Sequence, residues 1–184
     1  MLEPRHSRYN SVTVLAPHTV EPVNVANRID ERLYAEGLVR QLTKLGCKAS
    51  NIQALTGFPV GRIKQLQAPD HEDVNNARGK TPYSPANFLN STERLVEAMM
   101  LIKLHENHVR TGSTNVEAMI GAYTSFKQQH STSTLTFDHL VTLVKHQASP
   151  DLFRAVCHAC GVETLRTHRL SDCSMCHRLA QLTD

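Results

Sequence analysis

Four cysteines set the tightest constraint on this chain. Cys157-His158-Ala159-Cys160 and Cys173-Ser174-Met175-Cys176 are two C-x2-C pairs separated by the 12 residues from Gly161 to Asp172. Two thiolates three residues apart can turn back onto one ion, and a second such pair completes a tetrahedral sulfur cage with bonds of about 2.3 Å. The spacing therefore predicts one Zn2+ held by Cys157, Cys160, Cys173 and Cys176. Four sulfur ligands leave no position for water or substrate, so the metal is expected to hold the fold rather than to catalyse. It would also order a C-terminal stretch that contains few large apolar side chains. The competing readings are a pair of redox C-x-x-C motifs, scattered core cysteines, or one sulfur replaced by His158, His168 or His177.

The rest of the composition is that of an ordinary globular protein. The chain has 184 residues, 40% of them hydrophobic and 20% charged, enough for one modest domain or two small modules to bury a core. A membrane-spanning helix needs about 20 apolar residues in succession, whereas the run Ala98-Met99-Met100-Leu101-Ile102 stops at Lys103. A secretion signal needs an apolar stretch of roughly 7 to 15 residues, and the one that begins at Val12 ends at Pro17. A cytoplasmic protein without membrane contact is the expectation.

Hydrophobic spacing points to a mainly α-helical protein. Residues 1–27 carry Pro4, Pro17 and Pro22 without any sustained period, and are expected to form a mobile arm. From about Asp30, Leu38, Leu42 and Leu45 recur at helical spacing until Gly46. Residues 48–66 read as two short helices around Thr56-Gly57-Phe58-Pro59, so residues 28–67 form a helix-turn-helix-like segment. Residues 68–90, with three prolines, read as a linker or long loop. A helical bundle over 91–150 follows. Asn90 with Glu93 predicts a capping box for a helix near 91–110, and Thr114 with Glu117 does so for one near 115–129. A third helix is expected at 136–147. Met119, Ile120, Tyr123 and Phe126 then face Phe137, Leu140, Val141 and Val144, and the cluster of Met99, Met100 and Met119 suggests a stripe that also meets a partner. The zinc module takes residues 151–184.

Charge is informative only locally. The net charge is +3, but residues 37–69 hold Arg40, Lys44, Lys48, Arg62 and Lys64 with no acidic residue, a local +5. In a helix-turn-helix reading those side chains neutralise phosphates, while Arg62, Lys64 or Gln65, presented to solvent on the second short helix, reach base edges in the major groove. The bland alternative is a solvated basic face on a helical bundle. No H-E-x-x-H, paired carboxylates, Gly-rich phosphate loop or G-x-S-x-G elbow is present, and Cys47 lacks an identifiable base, so Cys47 reads as a small buried residue and the chain as a non-enzyme.

These pieces, in this order, resemble the FlhC family of bacterial transcriptional activators. The similarity runs from Leu38 to Cys176 through Leu45-Gly46-Cys47-Lys48-Ala49, Leu55-Thr56-Gly57, Gly61-Arg62-Ile63-Lys64, Gly121-Ala122-Tyr123, the stretch from Leu140 to Val144, and Cys173-Ser174-Met175-Cys176. The long arm and short tail are more similar to the AcaC and SetC type of conjugative plasmids and integrative elements than to the flagellar subunit. The resemblance implies an activator that binds double-stranded promoter DNA together with an FlhD-like protein subunit and recruits RNA polymerase. It maps the family's zinc cysteines onto the same four residues. It also implicates the zinc region in DNA contact, which adds Arg166, His168, Arg169 and Arg178 as candidates. The loop between the knuckles looks shorter than in the flagellar subunit. The alternatives are a zinc-containing interaction adaptor without DNA contact, and a zinc-dependent or thiol-redox enzyme.

Overall fold

The computed structural model describes residues 25–67, 82–147, 152–167, 172, 173, 175 and 176. The fold is mainly helical. Helix α1 spans Val25–Lys44 and so begins inside the segment expected to be a mobile arm. It stops where Gly46 turns left-handed at φ +74°, with Cys47 N–H donating to Leu42 O at 3.0 Å and Gly46 N–H to Thr43 O at 2.9 Å. Those two bonds satisfy carbonyls that the helix end leaves open.

Helices α2 (Ala49–Thr56) and α3 (Val60–Gln67) follow, joined through Gly57 at φ +74° and Pro59. Gln67 Nε2 donates to Thr43 Oγ1 and Arg62 Nη2 to Glu36 Oε1, so α3 runs beside α1 in the same direction. Val39, Leu42, Ile52 and Ile63 are fully buried where the three helices meet.

Of the expected linker or long loop, residues 82–90 form an ordered loop packed on the core. A short 3-10 turn at Pro85–Asn87 leads into Phe88 and Leu89, which are buried in the common core. The rest of the expected linker, 68–81, lies outside the described residues. Helix α4 spans Thr92–Arg110, and its cap is Ser91, whose hydroxyl accepts from Arg94 N–H at 3.3 Å; Asn90 lies one residue too early to act. Helix α5 (Asn115–Gln129) has the expected capping box of Thr114 and Glu117. Helix α6 (Phe137–His146) has one as well, with Thr136 and the imidazole of His139 in the role usually taken by Glu or Gln.

Helices α4 and α5 form a tight antiparallel pair. A Cβ on Gly121 would lie 2.8 Å from the His108 ring, so any larger residue there would force that side chain to move. Met119 is buried and Met99 packs on the core, which removes Met119 from the partner-facing stripe expected there. One apolar cluster runs from Val39 and Leu42 through α4, α5 and α6 to Leu152 and Leu165. The segment around the cysteines contains a feature absent from the sequence reading, an antiparallel hairpin of β1 (Phe153–Val156) and β2 (Glu163–Arg166), with Phe153 opposite Arg166 and Val156 opposite Glu163.

Candidate functional site

The first C-x2-C pair occupies the tip of the hairpin. Cys157 follows β1 directly; its N–H donates to Val162 O at 3.0 Å, and Gly161 N–H returns to Cys157 O at 2.8 Å with φ at +70°. This turn folds Cys160 back towards Cys157, and the second pair closes over both. Cys157 Sγ lies 3.7 Å from Cys176 Sγ, and Cys160 Sγ lies 3.7 Å from Cys173 Sγ. All four sulfurs fall within 4.8 Å of one another. That separation is far beyond a disulfide, whose sulfurs lie about 2 Å apart. The four residues the sequence singled out are therefore brought to one point, where they could hold a metal ion.

Local dipoles prepare the site for a cation. Backbone N–H groups of Cys160, then of Ala159, point at Cys157 and lower its thiol to about 6. Thiolate, not thiol, is the metal ligand. Cys176 is pushed in the opposite direction, up to about 12, by hydrogen bonding with Cys160 and then Cys157 and Cys173. Four sulfurs this close cannot all be anionic without a positive charge among them, so protons or a cation must be shared.

The hairpin is fastened to α4. Lys103 Nζ pairs with Glu163 Oε2 at 2.6 Å, and Arg154 pairs with Glu106, its Nη1 lying 3.4 Å from Oε2. Leu165, two residues after Glu163 on β2, is buried and belongs to the shared core. Glu106, expected to mark only the fading of an apolar stripe, is thus an anchor for the segment that carries the four cysteines.

The basic residues divide into two groups. Arg40 and Lys44, four apart on α1, and Lys64 on α3 are exposed and make no ion pair with any described residue. Gln65 is exposed beside Lys64, and Lys48 is half-buried at the start of α2. Arg62 differs from the expectation. Rather than facing solvent freely, it is half-buried, donating through Nη2 to Glu36 Oε1 at 2.7 Å and through Nη1 to Gln65 Oε1 at 3.2 Å. Arg32 Nε reaches the same Glu36 oxygen at 3.3 Å, and hydrogen bonding from Arg62 holds the Glu36 carboxyl below its ordinary range.

Comparison with models of known protein families gives no match, and no curated protein matches the chain.

In the C-terminal segment, Arg166 is half-buried on β2 with its Nε unpartnered among the described residues. His168, Arg169 and Arg178, the remaining candidates for nucleic-acid contact, lie outside the described residues. Sequence reasoning passed over Asp138, a buried carboxylate on α6. Its Oδ1 accepts from Lys48 N–H at 3.1 Å and from Asn51 Nδ2 at 2.7 Å, and so caps α2 from another helix. Nothing local announces a cap supplied from about 90 residues away. Among the described residues, no helix is long and apolar enough to cross a membrane.

Proposed function

We propose that the chain is the DNA-contacting subunit of a transcriptional activator, active in the cytoplasm and built around one structural Zn2+. The observation that carries the reading is the set of exposed polar and basic side chains on two helices packed side by side, Arg40 and Lys44 on α1 and Lys64 with Gln65 on α3, within a helix-turn-helix arrangement. Two short helices joined through a glycine turn, braced by a third, can lay the second one in a major groove. Residues 37–69 contain no acid to repel phosphates. The FlhD-like partner, the recruitment of RNA polymerase and the link to conjugative or flagellar genes rest on the resemblance to FlhC alone. The reading gives the chain no catalytic role.

Zinc fits the sulfur geometry. A tetrahedron with bonds of about 2.3 Å has edges of about 3.8 Å, close to the 3.7 Å separations of the two sulfur pairs. Cys157, Cys160, Cys173 and Cys176 would hold it, and such a closed set supplies structure only. Metal analysis of the full-length protein should return one zinc per chain, lost in Cys173→Ser.

Duplex binding by the full-length chain, alone and in the complex it forms in its own cell, tests the function. Affinity should fall linearly on logarithmic axes between 50 and 200 mM salt, values chosen to span the range where phosphate contacts are felt, and Lys64→Ala or Arg40→Ala should reduce the slope by about one each. No salt-dependent duplex binding in either form would overturn the reading. That result would favour the adaptor alternative, which the exposed Ile29 and Leu33 on α1 support.

A further inference from the structure

Arg62 is already committed within the protein. Both of its terminal nitrogens are engaged, one by Glu36 and one by Gln65, and its Nε is buried. A guanidinium has donors and no acceptor, so the Gln65 atom that meets it is the carbonyl oxygen. The amide NH2 of Gln65 must then point elsewhere. Gly61, Lys64 and Gln65 are all exposed, and their spacing of three and four places them on one stripe of α3. Gly61 presents no side chain there, and the space around its Cβ position is open.

We propose that Arg62 is a positioning residue rather than a base reader. Held by Glu36, it fixes the Gln65 amide as a donor, so that α3 offers a donor-only pair, the Gln65 NH2 and the Lys64 ammonium, to guanines at two neighbouring base pairs. This rests on the DNA-binding reading above. Guanine shows the major groove two acceptors, N7 and O6, whereas adenine shows one acceptor beside an N6 amino donor. A glutamine that is free to turn matches adenine, because it offers an acceptor and a donor together. With its oxygen drawn back to Arg62, Gln65 cannot do so and guanine becomes the better match. The Glu36 carboxylate belongs to the same device, because it keeps the guanidinium in place from the neighbouring helix.

Selection from randomised duplexes by the full-length protein, alone and in its native complex, tests the proposal. The wild type should select guanine at two neighbouring positions. Gln65→Ala should make one of them indifferent, and Lys64→Ala the other. Arg62→Met frees the Gln65 oxygen, so guanine should give way to adenine at the Gln65 position by about tenfold, while the Lys64 position keeps its guanine. Glu36→Gln should shift the same position in the same direction. A purely structural role for Arg62 would lower affinity for all duplexes evenly and leave the preference unchanged, and that result overturns the proposal. So does wild-type selection of adenine opposite Gln65.

Two further measurements separate the possible failures. If the wild type enriches no duplex, the DNA-binding reading falls and this inference with it; an enriched motif that ignores Arg62 and Gln65 leaves that reading standing and removes only this one. Should Arg62→Met unfold, Glu36→Gln and Gln65→Ala carry the test. Without DNA, the Gln65 side-chain amide should give a displaced pair of NMR resonances that moves to the position of a free amide in Glu36→Gln. An amide pair already at the free position in the wild type overturns the proposal.

Discussion

Asp138 shows how one side chain can join two parts of the chain. It is 3% exposed, and it accepts from the N–H of Lys48, the residue just before α2, while fixing the Asn51 side chain. Lys48 offers α2 no side-chain cap of its own. Burying a carboxylate is costly unless donors surround it, and here the donors come from Lys48 and Asn51 at the start of α2, so the energy of that burial is tied to the docking of α6 on the helix-turn-helix segment. Removing the carboxylate strands both donors. Asp138→Ala should therefore destabilise the fold by about 2 kcal/mol, the combined order of a lost cap and an unsatisfied buried group. Asp138→Asn, which retains one acceptor oxygen, should cost less. Urea unfolding of the two variants checks the order, and equal stability of wild type and Asp138→Ala would show that water replaces the carboxylate. The Cys47 thiol lies in the same region, and burial, reinforced by the negative charge of Asp138, pushes it well above its ordinary value. The sequence reading of Cys47 as a small buried residue agrees with its 4% exposure, because an isolated cysteine beside a helix-ending glycine has a local explanation. Asp138 has none: its partners were invisible until the fold joined positions 48 and 138.

Separate elements are tied together by groups that titrate in acid. Glu36 joins α1 to α3 through Arg62, Glu117 joins α5 to α1 by accepting from Tyr34 at 2.6 Å, and Glu163 joins β2 to α4 through Lys103. Each carboxyl is held below its ordinary value of 4.5, chiefly by the hydrogen bond from Arg62, Tyr34 and Lys103 respectively. A carboxyl depressed in the folded state contributes stability above its unfolded value and loses it as pH falls through the folded one. His139 adds an earlier step. Its Nδ1 must stay unprotonated to accept from Thr136 N–H at 2.9 Å, and burial, then the nearby Arg94, lowers its pKa from 6.5. The unfolded chain takes up that proton more readily, so stability should begin to fall as pH drops below about 6.5, and fall again below about 4.5. Urea midpoints measured from pH 8 to pH 3 should trace the two steps; His139→Gln, which can complete the same capping box, should remove the first. A flat profile down to pH 3 would show that neither set matters. Element types were legible because their signals are local. Thr114 with Glu117 marks the start of α5, and Leu38, Leu42 and Leu45 mark a face of α1. Boundaries were less legible: Ser91 rather than Asn90 caps α4, since adjacent residues that can both cap differ only in backbone conformation. The hairpin escaped because its strands are four residues each, too short for alternation to stand out, and β1 has no buried residue to give it a period.

At the scale of the whole molecule, the four-cysteine segment is attached to the helical body through a few contacts. Leu152 and Leu165 enter the common core, and the ion pairs of Lys103 with Glu163 and Arg154 with Glu106 brace the hairpin against α4. The body, in turn, takes almost all its buried side chains from outside that segment: Val39, Ile63, Ile102, Phe126, Phe137 and Leu143 are fully enclosed without help from the cysteines. The four ligands have no comparable core of their own. A small module of this kind derives its folding energy from the ion, whereas a body with a contiguous apolar core does not. The cysteine spacing made the four-sulfur cluster legible, but its attachment to α4 was not, because Glu106 and Lys103 look like ordinary outer residues of an amphipathic helix. Removing the metal should therefore separate the two parts. With a strong chelator, we expect the far-ultraviolet helical signal to fall only slightly while four thiols become reactive to a maleimide reagent. The fifth, Cys47, should react only when urea unfolds the body. Restoring zinc should protect the four again. Leu165→Ala, which cuts the hairpin's apolar anchor while sparing every sulfur, should make the metal easier to strip without exposing Cys47. If chelation instead collapsed the helices and released all five thiols together, the body would depend on the metal for its own stability, and the shared core would be too weak to stand without it.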